Sequence, residues 1–513
     1  MRSRKISAGF FVGLAIFTVT LLATTTPAVA QSEAVLHSFN VGGTDGFEPV
    51  GGVVFKGPTQ LYAATLDGGI NNRGTVFELS AVRGVWSEVN PHLFDFDYTD
   101  GTGPSGLLLH AGKFYGTTSG GGSFGEGTVF ELTYTAGIGW TQTFTYSFGA
   151  YATDAQGPNS PLIFANGNLY GTAGGGSNLN CGTSGALVGC GTIFQLTPVA
   201  GGGWVESVVY NFGNGSDAQT PDALLFHGGN FYGVTQNGGQ FSEGMVFELN
   251  PKTWMETDLH DFPMPTTGGV DGALPTGLTV DSAGNLYGTT SQGGTHNCGI
   301  VFEFTYDKTT KIWTETSLHD FDYSTDGAYS YGLILDKSSN LYGATGEGGP
   351  NYTGTAFELA AGTWEETILY NFCSLSNCAD GSYPSSGLTF DTNYNLYGTT
   401  QEGGAYGWGT VFQIIVNDFV LSPAPGALTV SQGNSVESII SVADTGGFTG
   451  NVTLAVSGLP KGVTASFSPK TTSGTSTLTL TASATAKIGT KAVTITGVSG
   501  NLYHTATINL TVN

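Results

Sequence analysis

Positive charge is scarce in this sequence: 15 Lys and Arg stand against 39 Asp and Glu, a formal net charge of −24 at pH 7. A chain so short of cations is a poor partner for nucleic acid or for an anionic membrane surface. Charged residues of both signs reach only 11 %, against roughly 25 % in an average soluble domain. Helical periodicity is missing too. No helical stretch of ten or so residues separates the β-prone runs, which excludes a parallel α/β fold. Cysteine is limited to five residues, and their spacing does not suit a zinc site. Cys181 and Cys190 flank one loop and Cys373 and Cys378 another, so two local disulfides are expected and Cys298 is left unpaired.

The N-terminus departs from this pattern. Arg2, Arg4 and Lys5 precede an apolar stretch over residues 6–23, and Ala28, Val29 and Ala30 form a small-residue cleavage site. Residues 1–30 therefore read as a signal peptide. No further apolar run is long enough to span a membrane once that segment is removed, and no anchor is expected after the last module.

What the chain has in plenty is Gly, 81 residues, with 32 Phe and 22 Tyr, a composition suited to short strands and tight turns. One string recurs seven times, most clearly as GLTVD at 277–281, NLYGTT at 285–290 and GIVFEF at 299–304, followed by Trp313 to Phe321. Its tyrosine falls at Tyr62, Tyr115, Tyr170, Tyr232, Tyr287, Tyr342 and Tyr397, with steps of 53, 55, 62, 55, 55 and 55 residues. A fixed period with four β-prone runs per unit is the pattern of a propeller blade. The last unit lacks its fourth run, and Val35 to Phe39 near the N-terminus matches it. The expected fold is all-β: a seven-bladed β-propeller over residues 31–416, closed by the N-terminal strand.

These units resemble the GloVer-type tandem repeat of bacterial "choice-of-anchor" exported proteins over about residues 35–414. The resemblance implies export and a repeat architecture. It carries over no catalytic residue, because that family has no agreed activity.

Composition changes after Asn417. Acidic residues number 36 and basic residues 8 between the signal and Asn417, against 3 and 4 beyond it. Residues 417–426, with Pro423 and Pro425, read as a linker, and 427–513 as an Ig-like β-sandwich of about seven strands. The stretch 458–469 resembles bacterial Ig-like modules.

Each unit carries an Asp before its first strand, among them Asp45, Asp271 and Asp380, most followed by Gly. Such pairs first of all make turns. Asp95, Asp97 and Asp100, and likewise Asp320, Asp322 and Asp326, could supply part of a calcium shell, and no other cofactor is expected. A repeated Glu on the third strand reads as a cross-strand hydrogen-bonding position, and His37, His260 and His319, which alternate with Tyr, read as packing. The loops that break the symmetry carry Tyr406, Trp408 and His296, candidate ligand contacts. No catalytic constellation stands out. The expected function is an exported, monomeric binding or scaffold propeller for carbohydrate or extracellular protein, released or held at the cell envelope. The alternative is a polysaccharide lyase or glycosidase on the same scaffold.

Overall fold

The computed structural model describes residues 33–42, 44–82, 85–93, 100–151, 153–176, 183–184, 187–213, 217–265, 270–416, 418–445, 448, 450–499 and 502–513. The proposed signal peptide, Asp95, Asp97 and Cys181 lie outside the described residues. Among those described there is no α-helix, and a short 3-10 turn, Ser376–Cys378, lies in the seventh unit. Among the described residues no helix is long and apolar enough to cross a membrane.

Residues 33–414 form seven successive antiparallel sheets in an all-β, propeller-like arrangement. The fifth is representative: Gly272–Val280, Leu286–Gly293, Ile300–Asp307 and Ile312–Asp320 pair in chain order. In the third and seventh units the first strand is split, as Gln156–Pro158 with Ile163–Ala165 and Ser382–Pro384 with Thr389–Phe390. The fourth strand of the seventh sheet is Glu33–Ser38, antiparallel to Thr410–Ile414.

Why these residues make such sheets follows from burial. The second strand, Leu-Tyr-Gly-Thr-Thr in the fifth and seventh units and a close variant in the others, is buried on both faces (Leu286 0 %, Tyr287 3 %, Thr289 0 % exposed). Only residues that pack as well above as below a pleat suit it, hence β-branched and aromatic side chains. Its central glycine is required by a close approach. A Cβ on Gly288 would lie 2.3 Å from Phe302 Cζ and 2.7 Å from the Gly277 carbonyl oxygen.

Successive sheets join through a pair of phenylalanines. The one ending a fourth strand meets the one on the third strand of the next sheet, edge to face or tilted. Phe148–Phe194, Phe212–Phe247, Phe262–Phe302, Phe321–Phe357 and Phe372–Phe412 have centroids 4.8 to 5.5 Å apart. Phe39 of the seventh sheet meets Phe77 of the first at 5.2 Å. Inner strands are also tied. Thr276 Oγ1 donates to the Ser330 carbonyl at 2.6 Å, and Ser385 Oγ and Thr389 Oγ1 of the seventh unit donate to Pro49 and Val53 of the first at 2.9 Å.

Beyond residue 417 two sheets enclose a separate core that includes Phe419, Leu454, Leu478, Ile495 and Ile508. One sheet runs Asp418–Ala424, Ser435–Thr445, Thr475–Ala482, Val463–Ser468. The other runs Ala427–Val430, Leu502–Val512, Gly489–Ser499, Val452–Ser457, Thr471–Thr472. The structure corrects the linker expected at 417–426. Asp418–Ala424 pairs along its length with Ser435–Thr445, and Phe419 is fully buried with Leu421 packed on the core. The prolines marked a join, but the alternating apolar residues before them already belong to the second module.

Gly288→Ala is expected to destabilise the chain by about 1–3 kcal/mol through overpacking, and Phe302→Ala by about 3–5 kcal/mol through a cavity. Because the two compete for one space, the double variant should lose clearly less than the sum. Urea unfolding of all three checks this.

Candidate functional site

In the six units whose side chains are described at this point, the fourth strand carries a His or Tyr two residues before its phenylalanine, with the ring edge-on to that phenylalanine: His319–Phe321 at 4.8 Å and Tyr210–Phe212 at 4.9 Å. Its polar tip reaches the Asp of the following loop. Tyr146, Tyr210 and Tyr370 hydroxyls donate to Asp154, Asp217 and Asp380 at 3.1, 3.2 and 2.7 Å. His37, His260 and His319 Nε2 lie 3.4, 3.2 and 3.0 Å from Asp45, Asp271 and Asp326. The same Asp accepts backbone amides and shapes its loop: Gly149 and Ala150 bind Asp154 at 2.9 and 3.0 Å, and Ser374 binds Asp380 at 2.7 Å.

A third member comes from the fourth strand of the next sheet: a Glu two residues after its tryptophan. Glu366 Oε1 is 3.6 Å from His319 Nε2, Glu88 Oε2 is 3.6 Å from His37 Nε2, and Tyr210 donates to Glu256 Oε2 at 2.7 Å. Carboxyl faces carboxyl here, with hydrogen-bonded contact between Glu206 and Asp154, Glu256 and Asp217, and Glu366 and Asp326. Glu33, Glu206, Glu256, Glu315 and Glu366 each keep one buried oxygen with no donor, as does Asp154. Two acceptors facing each other are satisfied only if one carries a proton. Burial first, and the neighbouring Asp charge second, push Glu33 up to about 7 and Glu206 to about 8. Glu366 rises to about 7, where burial and Asp326 outweigh His319. Glu256 and Glu315 move the same way for the same reasons. At one junction the chain places Gln142 instead, whose amide donates to the Asp100 carbonyl at 3.4 Å. A neutral side chain is thus native to this position.

Three junctions, His37 with Asp45 and Glu88, His260 with Asp271 and Glu315, and His319 with Asp326 and Glu366, hold three potential ligand atoms within 4.8 Å. Such a set could hold a divalent metal. The equivalent junctions with Tyr have the same hydrogen bonds without a nitrogen ligand, so the shared feature is the joint between sheets.

The Asp residues considered for calcium are spread over different tasks. Asp320 accepts from Thr295, Asp322 accepts from Ser324 N and Oγ at 2.9 and 2.7 Å, and Asp326 accepts from Asp322 N at 2.6 Å. Asp100 is buried. His296 is exposed, 3.9 Å from Asp322. Tyr406 and Trp408 are exposed, Trp408 leaning on Phe47 at 5.1 Å. Cys373 and Cys378 are disulfide-bonded, as is Cys190, whereas Cys298 is free and buried. The third-strand glutamates accept across the sheet, as in Lys113 to Glu131 at 2.8 Å and Asn230 to Glu248 at 2.6 Å.

Sequence reasoning missed the junction glutamates, although a signal exists: Glu88, Glu206, Glu256, Glu315 and Glu366 all follow a Trp by two residues. It also missed the inner cavity. A space of about 480 Å³ lies where inner strands converge, lined among others by Ser105, Ser160, Asp222, Gln236, Thr276 and Tyr331. A recess of about 230 Å³ adjoins it, sharing Gln236, Thr276 and Tyr331 and adding Tyr329 and Ser291. Asp222 is the one carboxylate among the lining residues of both, held by Gln236 Nε2 at 2.9 Å, and burial raises its pKa.

The Gloeobacter/Verrucomicrobia repeat matches residues 15–184 and 183–412. The chain belongs to this repeat family. No curated protein is similar to it in sequence. Among solved structures, the periplasmic gluconolactonase of Pseudomonas aeruginosa is 14 % identical, with 72 % of this chain and 99 % of that one covered and a TM-score of 0.40. An ulvan lyase is 11 % identical over 80 % and 93 %, at 0.40. A xyloglucan-locus GH43 protein of Bacteroides ovatus is 12 % identical over 93 % and 92 %, at 0.30. Likeness this low says nothing about what the repeat-family chain binds or acts on.

An acid whose pKa is raised on folding holds its proton more tightly in the folded chain. Its contribution is complete below the unfolded value, 4.5 for Glu, and is lost as pH climbs through about 7 and about 8. Unfolding midpoints should therefore fall between about pH 5 and about pH 9, by on the order of 1 kcal/mol per junction. Glu206→Gln, whose amide can donate to Asp154, should flatten that slope while leaving stability at high pH equal or greater. Urea titrations at several pH values measure it.

Proposed function

We propose that the chain is an exported, non-catalytic binding protein: a seven-bladed β-propeller over residues 31–416, closed by its N-terminal strand, carrying an Ig-like sandwich over the remainder. The junction bonds between the seventh and first units support closure. The two-sheet arrangement beyond Asp418, with its own core, supports the sandwich. Export is supported by the N-terminal charge, apolar run and cleavage motif, with release to the periplasm, the cell surface or the medium. The observation that carries the binding reading is how the acids are used. The junction carboxyls are consumed in joining sheets, and the inner cavity offers a single carboxylate among polar and aromatic side chains.

A polysaccharide-cleaving enzyme is favoured by one feature, the buried Asp222. Glycoside hydrolysis needs two carboxyls across the scissile bond, and the described cavity lining supplies one. Asp222 therefore serves better as a hydrogen-bonding group than as half of a catalytic pair.

Display of the purified chain on a glycan and extracellular-protein array, with calcium and with EDTA, is expected to give saturable capture without product release. Signal lost in EDTA would call for a cation, held either by the loop carboxylates Asp95, Asp97, Asp100, Asp320, Asp322 and Asp326 or by a junction set such as His319, Asp326 and Glu366. Product release at enzymatic rates would replace the binding reading with the enzymatic one.

A further inference from the structure

The seven inner strands share one register, so their departures from symmetry can be compared position by position. Pro104, Pro221, Pro275, Ser330 and Pro384 all pair with the last residue of the neighbouring strand's Tyr-Gly-Thr-Thr or its equivalent. The next residue borders the inner cavity. It is small in Ser105, Thr276 and Ser385, but Tyr331 in the sixth unit. Its ring lies against the backbone of the adjacent strand: a Cβ on Gly346 would come within 2.7 Å of Tyr331 Cε2. Glycine at that point makes room for the ring.

The residue before the paired one is left-handed in every unit. It is Gly103 (φ +62°) and Gly157 (φ +60°) in the second and third units, Glu48, Thr220 and Leu274 in the first, fourth and fifth, and Tyr329 (φ +57°) and Tyr383 (φ +58°) in the sixth and seventh, the two aromatic ones. A bulky residue there costs about 1 kcal/mol relative to glycine. Tyr329 nevertheless keeps 37 % of its surface exposed, as does Tyr331, so packing does not recover that cost. Tyr323 lies near Tyr329 and Tyr383 and pairs in turn with Tyr352. Tyr323 and Tyr352 have centroids 6.0 Å apart with planes only 31° from parallel, and the Tyr323 hydroxyl donates to Glu347 at 3.3 Å. Burial and the Glu347 charge raise the pKa of both Tyr323 and Tyr331, so these phenols stay neutral donors over the ordinary range.

We propose that the mouth of the inner cavity, lined by Tyr329, Tyr331, Gln236, Thr276 and Asp222, binds an uncharged oligosaccharide. A pyranose presents flat C–H faces, which stack on exposed aromatic rings, and a rim of hydroxyls, which need an amide, hydroxyl or carboxylate. Both kinds of partner meet here. The two adjoining volumes, about 480 and about 230 Å³, suit a short chain of sugar rings. No Lys or Arg is among the described lining residues, and Asp222 and Glu347 repel anions, so uronate and sulfated chains are disfavoured. The site rests on the binding reading above and deepens it; Tyr406, Trp408 and His296 are not among its described lining residues.

The test is isothermal titration of the full chain with cellohexaose, laminarihexaose, xylohexaose and mannohexaose, and with oligogalacturonate as the anionic probe. At least one neutral hexasaccharide should bind. Tyr329→Ala and Tyr331→Ala should each weaken it about tenfold or more, Tyr331→Phe, which keeps the ring and loses only the hydroxyl, should lose clearly less than Tyr331→Ala, and Tyr406→Ala should change nothing. Circular dichroism confirms folding of each variant. Should either alanine variant misfold, the exposed Tyr352→Ala and Tyr323→Ala stand in, with a loss of about threefold or more expected. A neutral glycan that binds equally well to all these variants, or is lost only in Tyr406→Ala, overturns this site while leaving the binding function intact. Binding of oligogalacturonate alone, or of no hexasaccharide, overturns the ligand class. If the array also yields no saturable ligand, the binding function falls with it.

Discussion

A blade-like sheet of four short strands has two apolar faces and cannot be stable alone, so the joint between one sheet and the next is the constraint on which the rest depends. Two phenylalanines meet across it, Phe321 with Phe357 for example, both fully buried. Above them His319, Asp326 and Glu366 form a polar cap that belongs to two sheets and a loop at once. Asp326 fixes the loop, the imidazole fixes the ring edge on Phe321, and Glu366 fixes the neighbour. Aromatic pairs of this kind contribute roughly 0.5–1.5 kcal/mol beyond the area they bury. Their repetition from sheet to sheet matters more than any one of them.

The same joint explains how so acidic a chain tolerates buried carboxyls. A buried pair of like charges would be severely destabilising. One shared proton converts it into a charge-assisted hydrogen bond, and Gln142 shows the neutral alternative in place. Burial dominates because the glutamates lie between sheets, away from solvent. His260 and His319 work in the same direction: burial opposes their charge, but the adjacent carboxylates outweigh it and raise both pKa values.

The repeat made most of this fold legible. Period, strand count per unit and the match of residues 35–39 to a fourth strand are all properties of local strings, and strand pairing follows them. What was not legible depends on which side chains meet across sheets. Glu33 and Tyr370 are far apart in sequence, and their shared joint with Asp380 arises only because the N-terminal strand sits beside the seventh unit. His and Tyr at one position looked like packing, and they do pack; their hydrogen bonds to Asp become visible only with the loop in place. The close spacing of Asp320, Asp322 and Asp326 was legible, but not that their carboxylates accept from Thr295, Ser324 and the Asp322 amide.

Symmetry and function pull against each other in a repeat. A residue copied into most units is explained first by the unit's own stability, which is why the recurring junction acids read as architecture despite their perturbed carboxyls. Singular residues have no such explanation. Asp222 and Tyr331 occupy one repeat position, filled in the other units by Val50, Ser105, Asn159, Thr276 and Ser385. Tyr329 holds a left-handed position that is aromatic only here and at Tyr383. Tyr329 and Tyr331 fill no core, and with Asp222 they border two adjoining volumes that share Gln236. Departures that converge on one cavity and leave aromatic rings partly exposed are the ones on which the proposed ligand site rests.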